Sequence, residues 1–139
     1  MWWVNIGVSM SQKFSALYRK AATEFAHRVA STLGDKIGSI ILYGSTARGE
    51  ARRDSDIDIL LISQQPEAIR QQISEICSDL TYEYNYSFLI SLVHFSREEF
   101  YRLRQVGSPF MANVVNEGGV LHDDGTFSGV REKATADSR

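Results

Sequence analysis

The chain has 139 residues, a formal net charge of −2 and 43% hydrophobic residues. This length supports one domain with a two-layer core, and the composition is typical of soluble globular proteins. The small net charge gives no general reason to expect a nucleic acid or an anionic membrane as a partner. No apolar stretch approaches the ~20 residues that span a bilayer, and the first residues lack a signal-peptide pattern. Because Cys77 is the single cysteine, an internal disulfide is excluded and a cytoplasmic location is predicted.

The hydrophobic periodicity predicts alternating groups of helices and strands. The predicted helices cover residues 11–35, 66–80, 97–105 and 108–119, and the predicted strands cover 37–44, 56–63, 86–96 and 120–124. Pro66 suits a helix start, and Ser96 and Glu99 have the spacing of a capping box.

The order of these elements predicts an α+β fold in which a mixed β-sheet carries helices packed mainly on one face. Residues 1–124 are expected to form a single domain. Residues 125–139 are polar, and we expect them to form a flexible C-terminal tail.

Two aspartates open the second predicted strand at alternate positions of the sequence "DIDILLI". Because successive side chains of a strand point to opposite faces, Asp56 and Asp58 share one face, while Ile57 and Ile59 can enter the core. Two like charges side by side repel each other, and partial burial increases the repulsion. A basic side chain or a divalent cation would offset it, and carboxylate oxygens suit Mg²⁺, which also binds phosphate oxygens.

The turn before this strand, "GSTARGEAR", has features that suit a phosphate group. Gly44 and Gly49 let the backbone approach a ligand closely, and Ser45 offers a hydroxyl. If residues 45–51 wind into a helical turn, their free N–H groups point at an anion. The turn and the aspartate pair together predict a site for a metal-bridged triphosphate.

Three other interpretations of this segment are weaker. A phosphate-binding P-loop requires Lys and Ser or Thr after its second glycine, where Glu50 and Ala51 stand here. A calcium loop requires glycine where Ile59 stands. The aspartates alone could simply cap and solubilise a strand end, but their spacing from the Gly-Ser pair favours a ligand site.

The spacing also supports a family resemblance. Gly44-Ser45, ten intervening residues and Asp56-Ile57-Asp58 resemble the signature of the DNA polymerase beta-type nucleotidyltransferase superfamily. The fuller sequence "YGSTARGEARRDSDIDILL" is similar to its minimal nucleotidyltransferases, small prokaryotic proteins often encoded beside a helical partner. The resemblance implies the polymerase beta-like fold and is strong over residues 37–62.

The resemblance implies roles for the motif residues. Ser45 and the Gly44 backbone would contact the terminal phosphates of a nucleoside triphosphate. Asp56 and Asp58 would hold one or two Mg²⁺ ions. An acceptor hydroxyl would then attack the α-phosphate and release pyrophosphate.

The basic residues and the histidines are less informative. Arg48 or Arg52 could neutralise phosphate charge, although a solvated loop arginine is an equally good interpretation of each. His27, His94 and His122 do not form a pair with metal-ligand spacing.

One departure from the family pattern concerns a third carboxylate. Active members of the family generally carry it on a later strand, where it helps to hold metal and to activate the acceptor. The matching strand, "FLISLVHF", contains no acid, and Ser91 stands near the expected position. Glu83 or Asp79 could replace it only by reaching inward from before the strand.

The leading hypothesis is therefore an Mg²⁺-dependent nucleotidyltransferase that moves AMP from ATP to a hydroxyl on a partner protein. The resemblance implies a toxin–antitoxin setting with a helical partner. The second hypothesis is a binding module that neutralises such a partner without catalysis, which the missing acid favours. A relation to aminoglycoside-modifying nucleotidyltransferases ranks last because the chain lacks their additional domain. The sequence leaves the acceptor, the base preference and the oligomeric state open, and a homo-oligomer is compatible with it.

Overall fold

The structure is a computed structural model that describes residues 9–137, with side chains described as far as residue 131. The helices are α1 (Met10–Leu33), α2 (Gly44–Ala47), α3 (Pro66–Glu83), α4 (Arg97–Gln105), α5 (Pro109–Glu117) and α6 (Thr126–Asp137). The strands are β1 (Ile37–Tyr43), β2 (Ile57–Ser63), β3 (Ile90–Ser96) and β4 (Gly119–Asp123). Within the described range, no helix combines the length and hydropathy that crossing a bilayer requires.

The four strands form one mixed sheet in the order β3-β2-β1-β4. β1 is antiparallel to both β2 and β4, whereas β2 and β3 run parallel. The register places Asp58 of β2 beside Tyr43 of β1 and beside Ser91 of β3. The predicted mixed sheet is thus confirmed, and its inner strand β2 carries the aspartate motif.

Helices cover both faces of the sheet. The long helices α1 and α3 pack on one face around Ile57, Ile59 and Leu61. The shorter α4, α5 and α6 pack on the other around Leu60 and Ile62. The prediction that helices lie mainly on one face is therefore correct only for the two long helices. The continuous apolar run of β2 is the signal for the second layer, because an inner strand with two covered faces is apolar at successive positions.

Helix starts follow the sequence signals. Ser96 accepts a hydrogen bond from the backbone N–H of Glu99, and the Glu99 carboxylate accepts one from the N–H of Ser96, both at 3.1 Å. This confirms the predicted capping box of α4. Pro66 occupies the first turn of α3, as predicted.

The segment after residue 124 differs from its prediction. The structure forms helix α6 there, and Phe127 and Val130 are buried in the second core layer. Asp124 accepts hydrogen bonds from the N–H and the hydroxyl of Thr126 and thereby satisfies the first turn. The sequence pattern misses this helix because only one turn carries apolar anchors. The flexibility expected for residues 125–139 remains a prediction.

Candidate functional site

The Gly44 backbone, where β1 ends and α2 begins, lies next to the Asp58 side chain. Gly44 has φ +74°, a left-handed conformation that favours glycine. A Cβ built at Gly44 would lie 2.2 Å from Oδ2 of Asp58. The glycine therefore accommodates the carboxylate next to it, which the sequence pattern alone does not reveal.

Asp56 and Asp58 lie at the start of β2 on the face that α4, α5 and α6 cover. Asp56 is exposed and Asp58 is half-buried, so the pair stands at the rim of the sheet. Burial and the neighbouring Asp56 charge raise the pKa of Asp58, and the Arg48 charge opposes them only in part. No lysine or arginine forms an ion pair with either carboxylate in the described part of the chain.

The turn borders an open cleft of about 450 Å³. Its lining consists of Ser11, Ser45, Arg48, Gly49, Glu50, Arg52 and Ser55. The structure thus brings together three residues for which the sequence suggests phosphate contacts: Ser45, Arg48 and Arg52. The lining is rich in hydroxyl and guanidinium donors, which suits an anionic ligand.

Arg48 is tied to two carboxylates in the described structure. Its Nε lies 3.0 Å from Glu50, and its Nη1 lies 3.1 Å from Glu117 at the end of α5. Its side chain remains 41% exposed. Exposed ion pairs of this kind contribute only ~0–1 kcal/mol, so a polyanion can compete for the guanidinium.

The position expected for a third carboxylate holds Ser91, which pairs with Asp58 in the sheet register. Glu83 forms an ion pair with Arg28 of α1 at 2.6 Å, on the side of the sheet opposite Asp58. Among the side chains of residues 9–131, no group of three or more His, Cys, Asp and Glu residues is arranged to hold a metal. The candidate metal site therefore consists of the two carboxylates alone.

These two carboxylates fit Mg²⁺ in combination with a nucleotide. Mg²⁺ is commonly held by one or two protein carboxylates, while phosphate oxygens and waters complete its octahedron. The raised pKa of Asp58, caused by burial and by Asp56, marks a position where a cation relieves repulsion. The donor set matches a hard cation rather than a metal that prefers nitrogen or sulfur.

The histidines lie apart from this site. His94 belongs to β3 and contacts the buried Ser63 hydroxyl at 2.7 Å. It shares the face of Leu61, opposite Asp58. Burial lowers the pKa of His94. A packing role explains these observations.

Helix α1 contributes to the site in a way that the motifs in the sequence do not indicate. Ser15 and Tyr18 of this helix hydrogen-bond the backbone of the segment between α2 and β2. Arg19 donates to two carbonyls of α2 itself. Ser15 is a polar residue on the buried stripe of the helix, only 3% exposed. A buried polar side chain in an amphipathic helix requires a partner, and that is the signal that could have predicted the contact.

The chain is similar to several known proteins. A family model described as a nucleotidyltransferase domain matches residues 22–109. A candidate protein adenylyltransferase of Methanocaldococcus jannaschii is 33% identical over 103 residues, which cover 74% of this chain and 96% of that protein. A crystal structure of a toxin–antitoxin with AMP-PNP has a TM-score of 0.53 at 19% identity, covering 84% of this chain and 86% of that chain. A candidate nucleotidyltransferase from Sulfolobus solfataricus has a TM-score of 0.51 at 18% identity, covering 84% and 89%.

The chain belongs to the nucleotidyltransferase domain family, since the family model and the archaeal relative cover most of its length. The two solved structures share its fold. The predicted family, the α+β fold and the enzyme class of nucleotidyltransferases are thereby confirmed.

Proposed function

We propose that the protein is an Mg²⁺-dependent nucleotidyltransferase that transfers AMP from ATP to a hydroxyl of a partner protein. The observation that carries the proposal is the contact between the Gly44 turn and Asp58. It brings the start of β2 next to the segment whose Ser45, Arg48 and Arg52 line the cleft. Such a combination binds a polyphosphate and its counter-ion together.

The phosphate chain would lie along the cleft. Ser45 donates its hydroxyl to a terminal phosphate oxygen, and Arg48 and Arg52 supply positive charge. Arg48 exchanges its contacts with Glu50 and Glu117 for phosphate contacts on binding. These residues orient the triphosphate so that its α-phosphate lies near the start of β2.

Asp56 and Asp58 would hold the Mg²⁺. When bound, the cation neutralises phosphate charge and polarises the reacting phosphoryl oxygens. In the transfer, the acceptor oxygen forms a bond to the α-phosphorus while the bond between that phosphorus and the oxygen bridging to the β-phosphate breaks. AMP moves to the acceptor, pyrophosphate leaves, and the acceptor proton passes to water.

The acceptor is expected to approach along β3. Ser91 lies beside Asp58 there and does not act as a general base at neutral pH. General-base help is typically worth ~10²–10⁴-fold, so we expect slow transfer. The Ser91→Asp variant places a carboxylate at this position, and we expect it to accelerate the transfer.

The proposed acceptor is a protein, and the proposed setting is a toxin–antitoxin pair with a helical partner. The name of the archaeal relative supports protein as the acceptor class. The resemblance of the motif to minimal nucleotidyltransferases supports the helical partner. One of the similar folds is a toxin–antitoxin structure with AMP-PNP, which is consistent with ATP as the donor.

A second candidate function is a binding module that neutralises its partner by complex formation alone. The serine beside Asp58 favours it, because the site then binds a nucleotide without activating an acceptor.

Labelled ATP separates the two functions. The wild-type protein is incubated with Mg²⁺, ATP labelled at the α-phosphate and a purified candidate helical partner protein. We expect label on the partner with wild type, more label with Ser91→Asp and none with Asp56→Asn. Asp54→Asn is the matched control, since Asp54 is an exposed acid outside the alternating pair. Full labelling in Asp56→Asn would overturn the proposed mechanism, because transfer would then not depend on the carboxylate pair. A tight complex that carries no label would support the binding module.

A further inference from the structure

One face of α1 holds the loop that carries the phosphate-binding residues. We define this loop as residues 44–55. The Ser15 hydroxyl accepts a hydrogen bond from the N–H of Ala51 at 3.0 Å. The Tyr18 hydroxyl donates to the carbonyl of Arg53 at 2.7 Å. Because positions three and four apart share a helix face, Ser15 and Tyr18 lie together with Arg19 above the loop.

Arg19 contacts the backbone of the residues that follow Ser45 and precede Arg48. Its Nε donates to the carbonyl of Thr46 at 3.2 Å, and its Nη2 donates to the carbonyl of Ala47 at 2.8 Å. These two carbonyls belong to the last residues of α2. The guanidinium fork thus binds consecutive carbonyls in a fixed geometry, which a single ammonium group does not reproduce.

The orientation of α2 determines where two cleft residues point. Ser45 lies within this single turn, and Arg48 follows it directly, with its N–H bonded to the carbonyl of Gly44 at 3.1 Å. A rotation of the turn would therefore move Ser45 and Arg48 together. Thr46, between them, is fully buried, so the turn is packed on one side and fixed by Arg19 on the other.

We propose that Arg19 is a positioning residue for the nucleotide site. It acts through the carbonyls of Thr46 and Ala47 to hold Ser45 and Arg48 in the geometry that binds the triphosphate. This inference rests on the proposed function, since it assigns the triphosphate to the cleft that the loop borders.

Exposure separates Arg19 from its two neighbours on the helix. Ser15 is 3% exposed and Tyr18 is 1% exposed, so substituting either one disturbs the core. Arg19 is exposed and adds little to core packing. Its removal should loosen the loop while leaving the global stability nearly intact, whereas Ser15→Ala should lower the stability by leaving the buried N–H of Ala51 unpaired.

The test measures loop opening and nucleotide binding separately. Amide hydrogen exchange of residues 44–55 is recorded without ligand, and the affinity for AMP-PNP with Mg²⁺ is measured by calorimetry. The variants are Arg19→Ala, Arg19→Lys and Lys20→Ala. Lys20 is the matched control, because it is the next residue on α1, exposed and of the same charge.

We expect Arg19→Ala to speed exchange in the loop and to weaken AMP-PNP binding about tenfold, since hydrogen bonds from charged groups contribute at this level. The thermal unfolding temperature should change little. Arg19→Lys should restore part of the affinity through one carbonyl, and Lys20→Ala should behave as wild type.

Equal losses of AMP-PNP affinity in Arg19→Ala and Lys20→Ala would overturn the proposal, because the loss of a positive charge alone would then explain them. The proposal would also be overturned if Arg19→Ala had the same hydrogen exchange in residues 44–55 and the same AMP-PNP affinity as the wild type. If the wild-type protein itself fails to bind AMP-PNP, the proposed function is wrong, and the exchange data still judge the role of Arg19 in the loop.

Discussion

Two pairs of aspartates in this domain have opposite electrostatic surroundings. Asp56 and Asp58 at the start of β2 lack a basic partner in the described part of the chain, and burial together with the mutual repulsion raises the pKa of Asp58. Asp123 and Asp124 at the end of β4 are surrounded by donors. Burial tends to raise the pKa of Asp123, but hydrogen bonds from Ser128 and Ser39 outweigh it, and the net pKa is lowered.

A structural acid pair differs from a candidate ligand site in the donors that surround its carboxylates. Asp123 accepts bonds from the hydroxyl of Ser39 at 2.7 Å and from the N–H groups of Gly125 and Phe127 at 3.1 and 3.2 Å. Asp124 accepts from Thr126 and forms an ion pair with Arg97. The fold itself satisfies these carboxylates. Asp58 has a raised pKa and no ion pair within the described residues, which is the expected state of a ligand site.

The first prediction concerns the loss of the hydrogen-bonded carboxylate of Asp123. Asp123→Asn removes a charged acceptor from several donors at the start of α6, and we expect the free energy of unfolding to fall by about 3 kcal/mol. Denaturant titration measures the change. Asp35→Asn is the control, because Asp35 is exposed in the turn after α1. A stability loss that is equally small in both variants would show that the Asp123 contacts contribute nothing beyond a surface charge.

The next prediction concerns the removal of both carboxylates of Asp56 and Asp58. Mg²⁺ with AMP-PNP at 100 times its Kd should stabilise the wild-type protein by about 2.7 kcal/mol through mass action. The double variant Asp56→Asn with Asp58→Asn should lose this gain and remain folded. Thermal unfolding with and without the ligand measures it. The assignment of the site would be wrong if the double variant gained as much stability as the wild type.

The comparison also shows what the sequence could predict. Alternation at the start of β2 predicts from the sequence alone that Asp56 and Asp58 share one face, because alternate side chains of a strand point the same way. The partners of Asp123 come from Ser39, 84 residues earlier, and from a helix with one anchored turn. The contacts of Arg19 similarly join segments 27 and 28 residues apart. Such pairings depend on tertiary packing, and the local pattern around these residues contains little signal for them.

A third prediction concerns the close contact between Gly44 and Asp58. Gly44→Ala and Gly107→Ala place a side chain at nearly equal positive φ values, +74° and +72°. The space around Gly107 is open within 4 Å, whereas at Gly44 the new Cβ meets the Asp58 carboxylate. Both variants should lose about 1–2 kcal/mol to backbone strain, and Gly44→Ala should lose a further ~1–3 kcal/mol to overpacking.

Chemical denaturation measures this difference. The combination of Gly44→Ala with Asp58→Ala should recover part of the extra loss, because the carboxylate that collides is then absent. Equal stabilities of Gly44→Ala and Gly107→Ala would show that the turn tolerates a side chain beside Asp58.

The smallest expected effect, and the most specific one, is the pH dependence of stability in the two pairs. The pKa of Asp58 is raised on folding by burial and by Asp56, so the folded protein binds the proton more tightly than the unfolded chain does. The favourable contribution of protonated Asp58 is present below the ordinary Asp pKa of ~3.9 and is lost as the pH rises through the higher folded value. Asp58→Asn should therefore stabilise the metal-free protein, and this stabilisation should increase from acidic to neutral pH and then become constant.

For Asp123, the net pKa is lowered by its hydrogen bonds, so its contribution to stability is present above ~3.9 and is lost as the pH falls. The destabilisation by Asp123→Asn should accordingly shrink in acid. Urea titrations of both variants in EDTA across this range measure the two slopes. If the stability change caused by each substitution varied with pH in the same direction, the opposite pKa shifts of Asp58 and Asp123 would be wrong. Mg²⁺ with AMP-PNP should reverse the sign for Asp58→Asn alone, because the bound cation favours the ionised carboxylate.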